Sequence, residues 1–367
     1  MSDFQAIPLA MEWHPGLSIY ASPAFLQSVS DEFGWLGGVD GAGRLRCLLP
    51  YTIVRRATVR MVRFRVETIG LGDTLSLGEE RSFLNSVVEY FRPRADIIIP
   101  ATTNTIFRTA PDGAVTAPYG SMVLDLSESE PALWQQIHSK HRNVIRNAEK
   151  KGVQVRMGGE HLQTAYQLVR DTFRRSKLPF MTASAFRQTI EALGDNVKIF
   201  LAEHQGKPQG CAVIPYSSYA AYYVYGGSAG EGVINGAMNF LQWEAIRFFR
   251  NLGVGRYDFV GVRLHPDKGS KAEGLYMFKQ RFGGRLVQGC MWKYPLRPLK
   301  AAVYSLAVRL LRGGDLVDVE RRRLGPGEPL SAPAFPLAVC PPLAARPPAA
   351  PQPLAGPRPA ARSVAHG

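Results

Sequence analysis

Short runs that alternate apolar and polar residues dominate the first third of the chain, which is the pattern of half-buried β-strands. The stretches GWLGGVD, RLRCLLPYTIVRR and TVRMVRFRVETIGL predict strands, and the GAG at 41–43 predicts a turn between the first two. Helices are predicted over SPAFLQSVSDEF and from Ser82 to Phe91. Two more strands, ADIIIP and YGSMVLDL, close this region near residue 126.

From residue 127 onward, helical periodicity alternates with apolar strands. SESEPALWQQIHSKHRNVIRNAEKKG predicts a helical stretch broken once, with Ser129 suited to its start, and TASAFRQTIEAL predicts a helix begun by Thr182 or Ser184. GAMNFLQWEAIRFFRNLG predicts a strong helix that ends at Gly253. The element order is helix, strand, helices, strand pair, strand, helix, strand, helix, strand, as in a GNAT fold. The first region follows a reduced version of this order. We therefore predict an α/β fold of two tandem GNAT-like domains, each a mixed central sheet flanked by helices.

The chain divides into four predicted segments: 1–126, 127–298, 299–324 and 325–367. The first two are the GNAT-like domains, and the second carries the recognisable motifs. The third is a basic C-terminal helix whose apolar stripe is expected to dock on the domain surface, although such a helix is also suited to a membrane surface. That stripe contains Val303, Leu306, Ala307 and Leu310. The fourth is rich in Pro and Ala, and we expect it to be disordered.

The formal net charge of +14 favours an anionic partner such as a nucleic acid, a nucleotide-linked precursor or an acidic membrane face. The four cysteines are far apart, so neither a metal site nor a disulfide framework is predicted. The N-terminus has no signal-peptide pattern, and no apolar stretch reaches the ~18 residues of a spanning helix. These features predict a cytoplasmic protein whose membrane contact, if any, is peripheral.

The segment from His138 to Lys151 concentrates positive charge on one predicted helix. Arg142 and Arg146 are four residues apart and share a face, and Lys140 adds to the local field. Arginine forks match anionic oxygen pairs, so this helix is predicted to hold phosphates. The alternative is a solvated face of a surface helix.

A second group of candidates follows the strand GRYDFVGV. Asp258 lies in that strand, and GLYMFKQRFGG after it carries Tyr276 and Lys279 one helical turn apart. Between them lies a polar loop at a strand end, where α/β sites gather. Tyr225 is in an earlier tyrosine-rich strand with one face available to a cleft.

The strings YDFVGV and GLYMFKQRFGG, with YYVYGGS and KHRNVIRNAEKKGV before them, resemble the Fem-type (FemAB/FemX-like) peptidyltransferase family. The resemblance covers roughly Trp134 to Pro295, without the coiled-coil arm that some members insert. It implies aminoacyl-tRNA as donor and an amine of an anionic peptidoglycan precursor, nucleotide- or lipid-linked, as acceptor. Aminoacyl-tRNA is then a co-substrate, and no cofactor is expected.

For that reaction, Lys279 is assigned to the developing oxyanion or a nearby phosphate, with an exposed helix cation as the alternative. Asp258 is assigned to accept or orient the amine's proton, with a strand-end residue bonded to the backbone as the alternative. Tyr276 and Tyr225 are candidates at the acceptor, with packing roles as the alternative. Lys140, Arg142 and Arg146 are candidate substrate-binding residues.

The donor has a competing interpretation. Acyl-CoA-dependent GNAT enzymes usually carry an Arg/Gln-x-x-Gly-x-Gly/Ala loop before their long helix. The matching stretch here, GGSAGEGVINGAMNF, is glycine-rich without that spacing. This favours tRNA, and leaves an acyl-CoA-dependent N-acyltransferase of envelope polysaccharide biosynthesis as the alternative. A non-catalytic RNA- or membrane-binding protein is a further alternative, and the sequence lacks the aromatic pattern of a dedicated RNA-binding module.

Overall fold

The computed structural model describes residues 4–10, 12–73, 75–103, 105–324 and 339–340. Within these ranges the strands are β1 (Gln5–Leu9), β2 (Glu32–Val39), β3 (Leu45–Arg56), β4 (Val59–Phe64), β5 (Ile69–Leu71), β6 (Ile97–Ile98), β7 (Val115–Asp125), β8 (Gln154–Met157), β9 (Val197–His204), β10 (Lys207–Pro215), β11 (Ala221–Tyr222), β12 (Tyr225–Ser228), β13 (Arg256–Val262), β14 (Arg285–Pro295) and β15 (Val339–Cys340). The helices are α1 (Pro23–Val29), α2 (Leu77–Phe91), α3 (Glu130–Gln136), α4 (Ser139–Lys150), α5 (Leu162–Arg175), α6 (Ala183–Leu193), α7 (Ala237–Asn251), α8 (Lys271–Gln280), α9 (Pro298–Arg312) and α10 (Leu316–Leu324).

Helix starts follow local capping chemistry. Ser129 caps α3 and Thr182 caps α6, each by accepting a backbone N–H three residues on, as their sequence positions predict. The second helix begins at Leu77 instead of the predicted Ser82. Ser76 and Glu79 form a reciprocal capping box there, which satisfies two backbone donors, and the helix is longer than predicted by more than one turn.

The strands form a large mixed sheet and a smaller antiparallel one. In the described residues the large sheet follows the order β1-β2-β3-β4-β6-β14-β7-β13-β11, with β5 beside β3. The smaller sheet follows the order β12-β10-β9-β8. Strand β14 pairs with β6 on one side and with β7 on the other, so the C-terminal strand of the second region lies in the middle of the large sheet. The predicted mixed α/β architecture with flanking helices is confirmed.

Three main cores hold these layers together. One lies under α2 and is built around Phe83, Phe91 and Trp292. A second packs α4 and α7 against β7 and β13, around Leu241 and Phe259. The third joins the first region to the smaller sheet, because it combines residues on both sides of the predicted boundary. Its members include Leu17, Tyr20, Leu26, Val66, Val169, Phe186 and Tyr222.

Some sequence predictions need correction. The tyrosine-rich stretch predicted as one strand is divided between β11 and β12, which belong to different sheets. The predicted basic C-terminal helix is broken at Gly313–Gly314 into α9 and α10. Its apolar stripe does not dock on the domain surface, because Val303, Leu306 and Leu310 are exposed.

The boundary predicted at residue 126 stays a prediction, although β7, assigned to the first domain, pairs with β13 and β14 of the second. Most of the tail predicted to be disordered, 325–338 and 341–367, lies outside the described residues. Within it, β15 pairs in parallel with β5. In the described part of the chain, no helix combines the length and apolar character needed to cross a membrane.

Candidate functional site

Strand β13 is interrupted by a bulge at Asp258–Gly261, where its pairing with β7 shifts register. Val260 has a φ of +56°, a left-handed conformation that costs energy for a β-branched residue. The Asp258 carboxylate stabilises this turn, because its Oδ1 accepts hydrogen bonds from the Val260 N–H at 2.7 Å and from the Ser121 hydroxyl at 2.5 Å. A Cβ at Gly261 would lie 2.4 Å from the Thr103 carbonyl oxygen, so only glycine fits there.

Lys279 of α8 reaches the other side of this bulge. Its Nζ donates to the carbonyl oxygens of Val260 at 3.0 Å and Gly261 at 2.9 Å. The side chain is 8% exposed, so the alternative of a solvated helix cation is wrong. Burial lowers the pKa of Lys279 to about 8, while the charge of Asp258 acts in the opposite direction. An ammonium group has three donors, so one N–H remains for a ligand.

The bulge therefore brings together the two residues predicted to be catalytic, Asp258 and Lys279. It also confirms the backbone contact that was the alternative for Asp258. The described residues donate no hydrogen bond to its Oδ2. Whether either group takes part in a reaction stays a prediction, which the proposed experiments address.

The opposite face of α8 lines a groove of about 570 Å³. This groove, called here the α7 groove, lies at the N-terminal end of α7, where Gly236 caps the helix without a side-chain hydrogen bond. The polar residues that line the α7 groove include two cations, two amides and one carboxylate: Lys140, Arg281, Asn235, Asn239 and Glu273. Free backbone N–H groups at a helix N-terminus and nearby cations favour an anion.

The three candidate cations of α4 point to different places. Lys140 lines the α7 groove. Arg142 Nη1 donates to the carbonyl oxygens of Gln135 at 2.9 Å and Ile137 at 2.8 Å, which closes the C-terminal end of α3. Arg146 lies over the Trp134 ring at 5.4 Å, in a separate groove of about 460 Å³. Arg142 and Arg146, which share a helix face, therefore lie in different surroundings, and Arg142 is committed to backbone carbonyls. A substrate-binding role for the three cations stays a prediction.

A pair of arginines that the sequence analysis did not single out lies on β4 and just after it. Arg63 and Arg65, called here the arginine stripe, alternate with the core residues Val62, Phe64 and Val66 and are only partly exposed. Their Nε atoms are buried without a hydrogen-bond partner, and no described carboxylate pairs with either guanidinium. Burial, together with the charge of neighbouring Arg63, lowers the pKa of Arg65 to about 10.

The arginine stripe is bounded by different groups at its two ends. On one side, Tyr304 of α9 is close enough to oppose the effect of burial on the pKa of Arg63. On the other side, Glu67 continues the alternation and pairs with Arg256 of β13 at 3.4 Å. Unpaired, half-buried guanidinium groups are costly unless a ligand completes them, so the stripe is a candidate anion site.

The two candidate tyrosines occupy separate surroundings. Tyr225 packs edge-on against Phe180 and Phe186, and it is close enough to Arg65 to oppose the lowering of the pKa of that guanidinium. Tyr276 of α8 packs against the core around Leu241, which fits the packing alternative. Tyr225 therefore adjoins the arginine stripe, whereas Tyr276 stays on the α8 side of the molecule. A ligand-binding role for either residue stays a prediction.

Sequence reasoning missed Ser121, the left-handed Val260 and the arginine stripe. The stripe had a readable signal, because arginines at every second position of a strand must share one face. The bulge had no such signal in the sequence, because valine rarely adopts a left-handed backbone conformation.

Comparison with known proteins supplies the family. The family model described as "FemAB family" matches residues 113–207 and 210–309, more than half of the chain. The resemblance drawn from the sequence motifs is thereby confirmed.

Curated relatives match over shorter stretches. The chain is 28% identical over 122 residues to the lipid II:glycine glycyltransferase of Staphylococcus haemolyticus, which is 33% of this chain and 29% of that protein. It is 32% identical over 72 residues to the enzyme of the same name from Staphylococcus aureus, 20% of this chain and 17% of that one. The chain thus spans less than a third of the length of these relatives.

A solved structure matches over a longer range. The crystal structure of FemX superposes with a TM-score of 0.60 at 15% identity, covering 79% of this chain and 95% of FemX. This likeness shows a shared fold.

Proposed function

Because the chain belongs to the FemAB family, we propose that it is an aminoacyltransferase that acts on an amine of a peptidoglycan precursor, with aminoacyl-tRNA as the donor. The relatives named as lipid II:glycine glycyltransferases support the acceptor class. The observation that carries the proposal on this chain is that Lys279 and Asp258 both bind the backbone of the strained bulge at Val260. Strain of this kind is concentrated at functional sites.

The chemistry asks little of the protein beyond position and charge. The acceptor amine attacks the ester carbonyl carbon of the donor, a C–N bond forms, and the C–O bond to the tRNA ribose breaks. The amine loses a proton, and the ribose oxygen leaves with one. We assign the proton of the amine to Asp258, whose Oδ2 is not committed to a described donor, and the developing oxyanion to the third N–H of Lys279.

The arginine stripe supports an anionic acceptor. Precursors of the cell wall that are linked to a nucleotide or a lipid carry phosphates, and two neighbouring guanidiniums can bind such oxygens in pairs. Glu67, which follows the stripe, pairs with Arg256 of β13 and is close enough to Asp258 for the two charges to interact, so the stripe lies near the strand that carries the bulge. We assign the phosphates of the acceptor to Arg63 and Arg65, and its peptide amine to the bulge.

The α7 groove supports an anionic donor and also keeps the acyl-CoA alternative. Lys140 and Arg281 with the N-terminus of α7 suit the phosphates at the end of a tRNA and equally the pyrophosphate of acyl-CoA. On the latter reading the protein is an N-acyltransferase of envelope polysaccharide biosynthesis. Two readouts separate these donors: which of them is retained by the protein, and which delivers its acyl group.

The experiment is a transfer assay with purified protein, labelled aminoacyl-tRNA or labelled acetyl-CoA, and a nucleotide-linked peptidoglycan precursor. We expect label from the tRNA in the acceptor and none from acetyl-CoA, with tRNA retention that weakens as salt rises. Lys279→Ala should abolish transfer, whereas the exposed control Lys207→Ala should behave as wild type.

Label arriving from acetyl-CoA, with only weak retention of tRNA, would replace this proposal by the acyl-CoA alternative. If Lys279→Ala transferred label at the wild-type rate with either donor, the bulge would have no role in the reaction.

A further inference from the structure

Helix α9 presents an apolar stripe to solvent. Leu299, Val303, Leu306 and Leu310 recur at the spacing i, i+4, i+7 and i+11, and they are 58–85% exposed. Residues at this spacing form one line along a helix of about 22 Å. Leu311, 82% exposed, widens the stripe. An exposed apolar surface of this kind marks an interaction site.

The orientation of α9 is fixed by its inner face. Ala301 is buried and Tyr304 partly buried, and both pack with Val54, Met61 and Val59 of the β3–β4 hairpin. Lys300 is held by Asp96, with 3.1 Å between its Nζ and the carboxylate. The helix therefore lies flat on the body of the protein with its stripe outward.

The charged residues around the stripe are basic. Arg297 and Arg309 are exposed on α9 or at its start, and Arg55 and Arg56 are exposed at the end of β3. The acidic neighbours Asp315 and Asp318 share Lys293 as a partner, each at 2.7 Å, and the charge of Arg322 also acts on Asp318. In the described part of the chain no carboxylate forms a salt bridge with these four arginines, and the charge of Arg297 acts on Asp96, which is itself bonded to Lys300.

We propose that α9 is an interfacial helix that binds this protein to an anionic lipid surface. An apolar stripe edged with arginines is the surface that inserts between lipid headgroups, where the cations meet anionic lipids. The inference goes beyond the proposed function and stands without it. If both hold, lipid contact at α9 brings the neighbouring Arg63 to the membrane, because Tyr304 links the two.

Charge argues against the other occupants. A second copy bound through a two-fold axis would bring the arginine rim against itself in a chain of net charge +14. The segment 325–367 is also net basic, since Arg346, Arg358 and Arg362 outnumber Glu328. An anionic lipid surface complements both the apolar stripe and its rim.

The test is sedimentation of the full-length protein with vesicles made of equal parts phosphatidylglycerol and phosphatidylcholine. The test variant carries Val303→Glu, Leu306→Glu and Leu310→Glu, all at exposed positions that the fold does not need. The matched control places the same three charges on other exposed apolar residues, as Met157→Glu, Leu178→Glu and Leu252→Glu.

We expect the wild type and the control to bind these vesicles, and to bind vesicles of pure phosphatidylcholine more weakly. We expect the α9 variant to bind the mixed vesicles at least about 100-fold more weakly than the wild type does. Equal binding by the α9 variant and the wild type would overturn the inference. The inference would also be overturned if the wild type did not bind vesicles and instead formed a dimer in sedimentation equilibrium, with the α9 variant remaining a monomer.

The vesicles contain no precursor, so this result does not depend on the transfer reaction. Activity on a soluble nucleotide-linked acceptor tests the proposed function separately. If the protein binds vesicles through α9 but transfers no aminoacyl group, the lipid-binding inference holds and the proposed function is wrong.

Discussion

Buried charged groups have hydrogen-bond partners at the bulge of β13, whereas those of the arginine stripe lack ionic partners in the described part of the chain. At the bulge, Asp258 and Lys279 each hold backbone groups of the strained turn. On the stripe, Arg63 and Arg65 have no ionic partner among the described residues. Charged groups with hydrogen-bond partners stabilise the geometry of a site, whereas charged groups without partners are available to bind a ligand. The comparison teaches that the two regions should respond differently to mutation.

The largest effect is expected at Lys279. Lys279→Met keeps the apolar stem but leaves the carbonyl oxygens of Val260 and Gly261 without their donor. We expect the transfer rate to fall at least about 100-fold and the free energy of unfolding to fall by about 1–3 kcal/mol. Transfer assays and urea denaturation measure the two effects.

Lys207→Met is the control, because Lys207 is exposed at the start of β10. If Lys279→Met loses stability and keeps its rate, the bulge is structural only.

The arginine stripe should show the reverse pattern. The double variant Arg63→Gln, Arg65→Gln removes two poorly solvated charges, so we expect stability to stay constant or rise by up to about 2 kcal/mol. The KM for the anionic acceptor should rise at least about tenfold, because the charged hydrogen bonds to phosphate are lost, with little change in kcat. Steady-state kinetics and thermal unfolding are the measurements.

The double variant Arg187→Gln, Lys207→Gln changes the net charge equally at exposed positions and should leave both quantities as they are. A clear loss of stability in the stripe variant, with KM unchanged, would show that the stripe supports the fold and not a ligand.

A pH dependence follows from Lys279, whose pKa is about 8 in the fold against 10.5 ordinarily. Its charged form is lost as pH rises through about 8, so kcat/KM should decline above that value. Lys279→Arg should lack this decline, because a guanidinium stays charged. The pH–rate profiles of the two proteins on one acceptor make the comparison.

The same pKa predicts a stability effect of known sign. Between pH 8 and 10.5 the unfolded chain binds this proton and the folded one releases it, so Lys279 favours folding increasingly as pH rises. The difference in unfolding free energy between wild type and Lys279→Met should therefore grow across this window. A constant difference would mean that Lys279 titrates normally.

The smallest effect concerns the strained backbone. Val260→Ala and Val260→Gly differ by a single methyl group, but only glycine adopts a φ of +56° without cost. We expect the glycine variant to be more stable than the alanine variant by about 1 kcal/mol. Chemical denaturation of both proteins measures the difference, and equal stabilities would show that the turn relaxes without the side chain.

The sequence predicted what depends on neighbouring residues. Helix starts at Ser129 and Thr182 were readable because capping is local. The role of Arg142 was not, because a shared helix face with Arg146 says nothing about which groups lie opposite that face. The Asp258–Lys279 pair came from the family motif, and its geometry at the bulge depends on Ser121, 137 residues earlier in the chain. The place of β14 between β6 and β7 is equally non-local.

That central position of β14 sets an order of events during synthesis. Strands β6 and β7 leave the ribosome early, and the strand that joins them ends only at Pro295. Until then each presents an open edge, and open edges recruit unrelated chains. A nascent chain that stalls before residue 285 therefore exposes two open strand edges, one on β6 and one on β7, until β14 is synthesised.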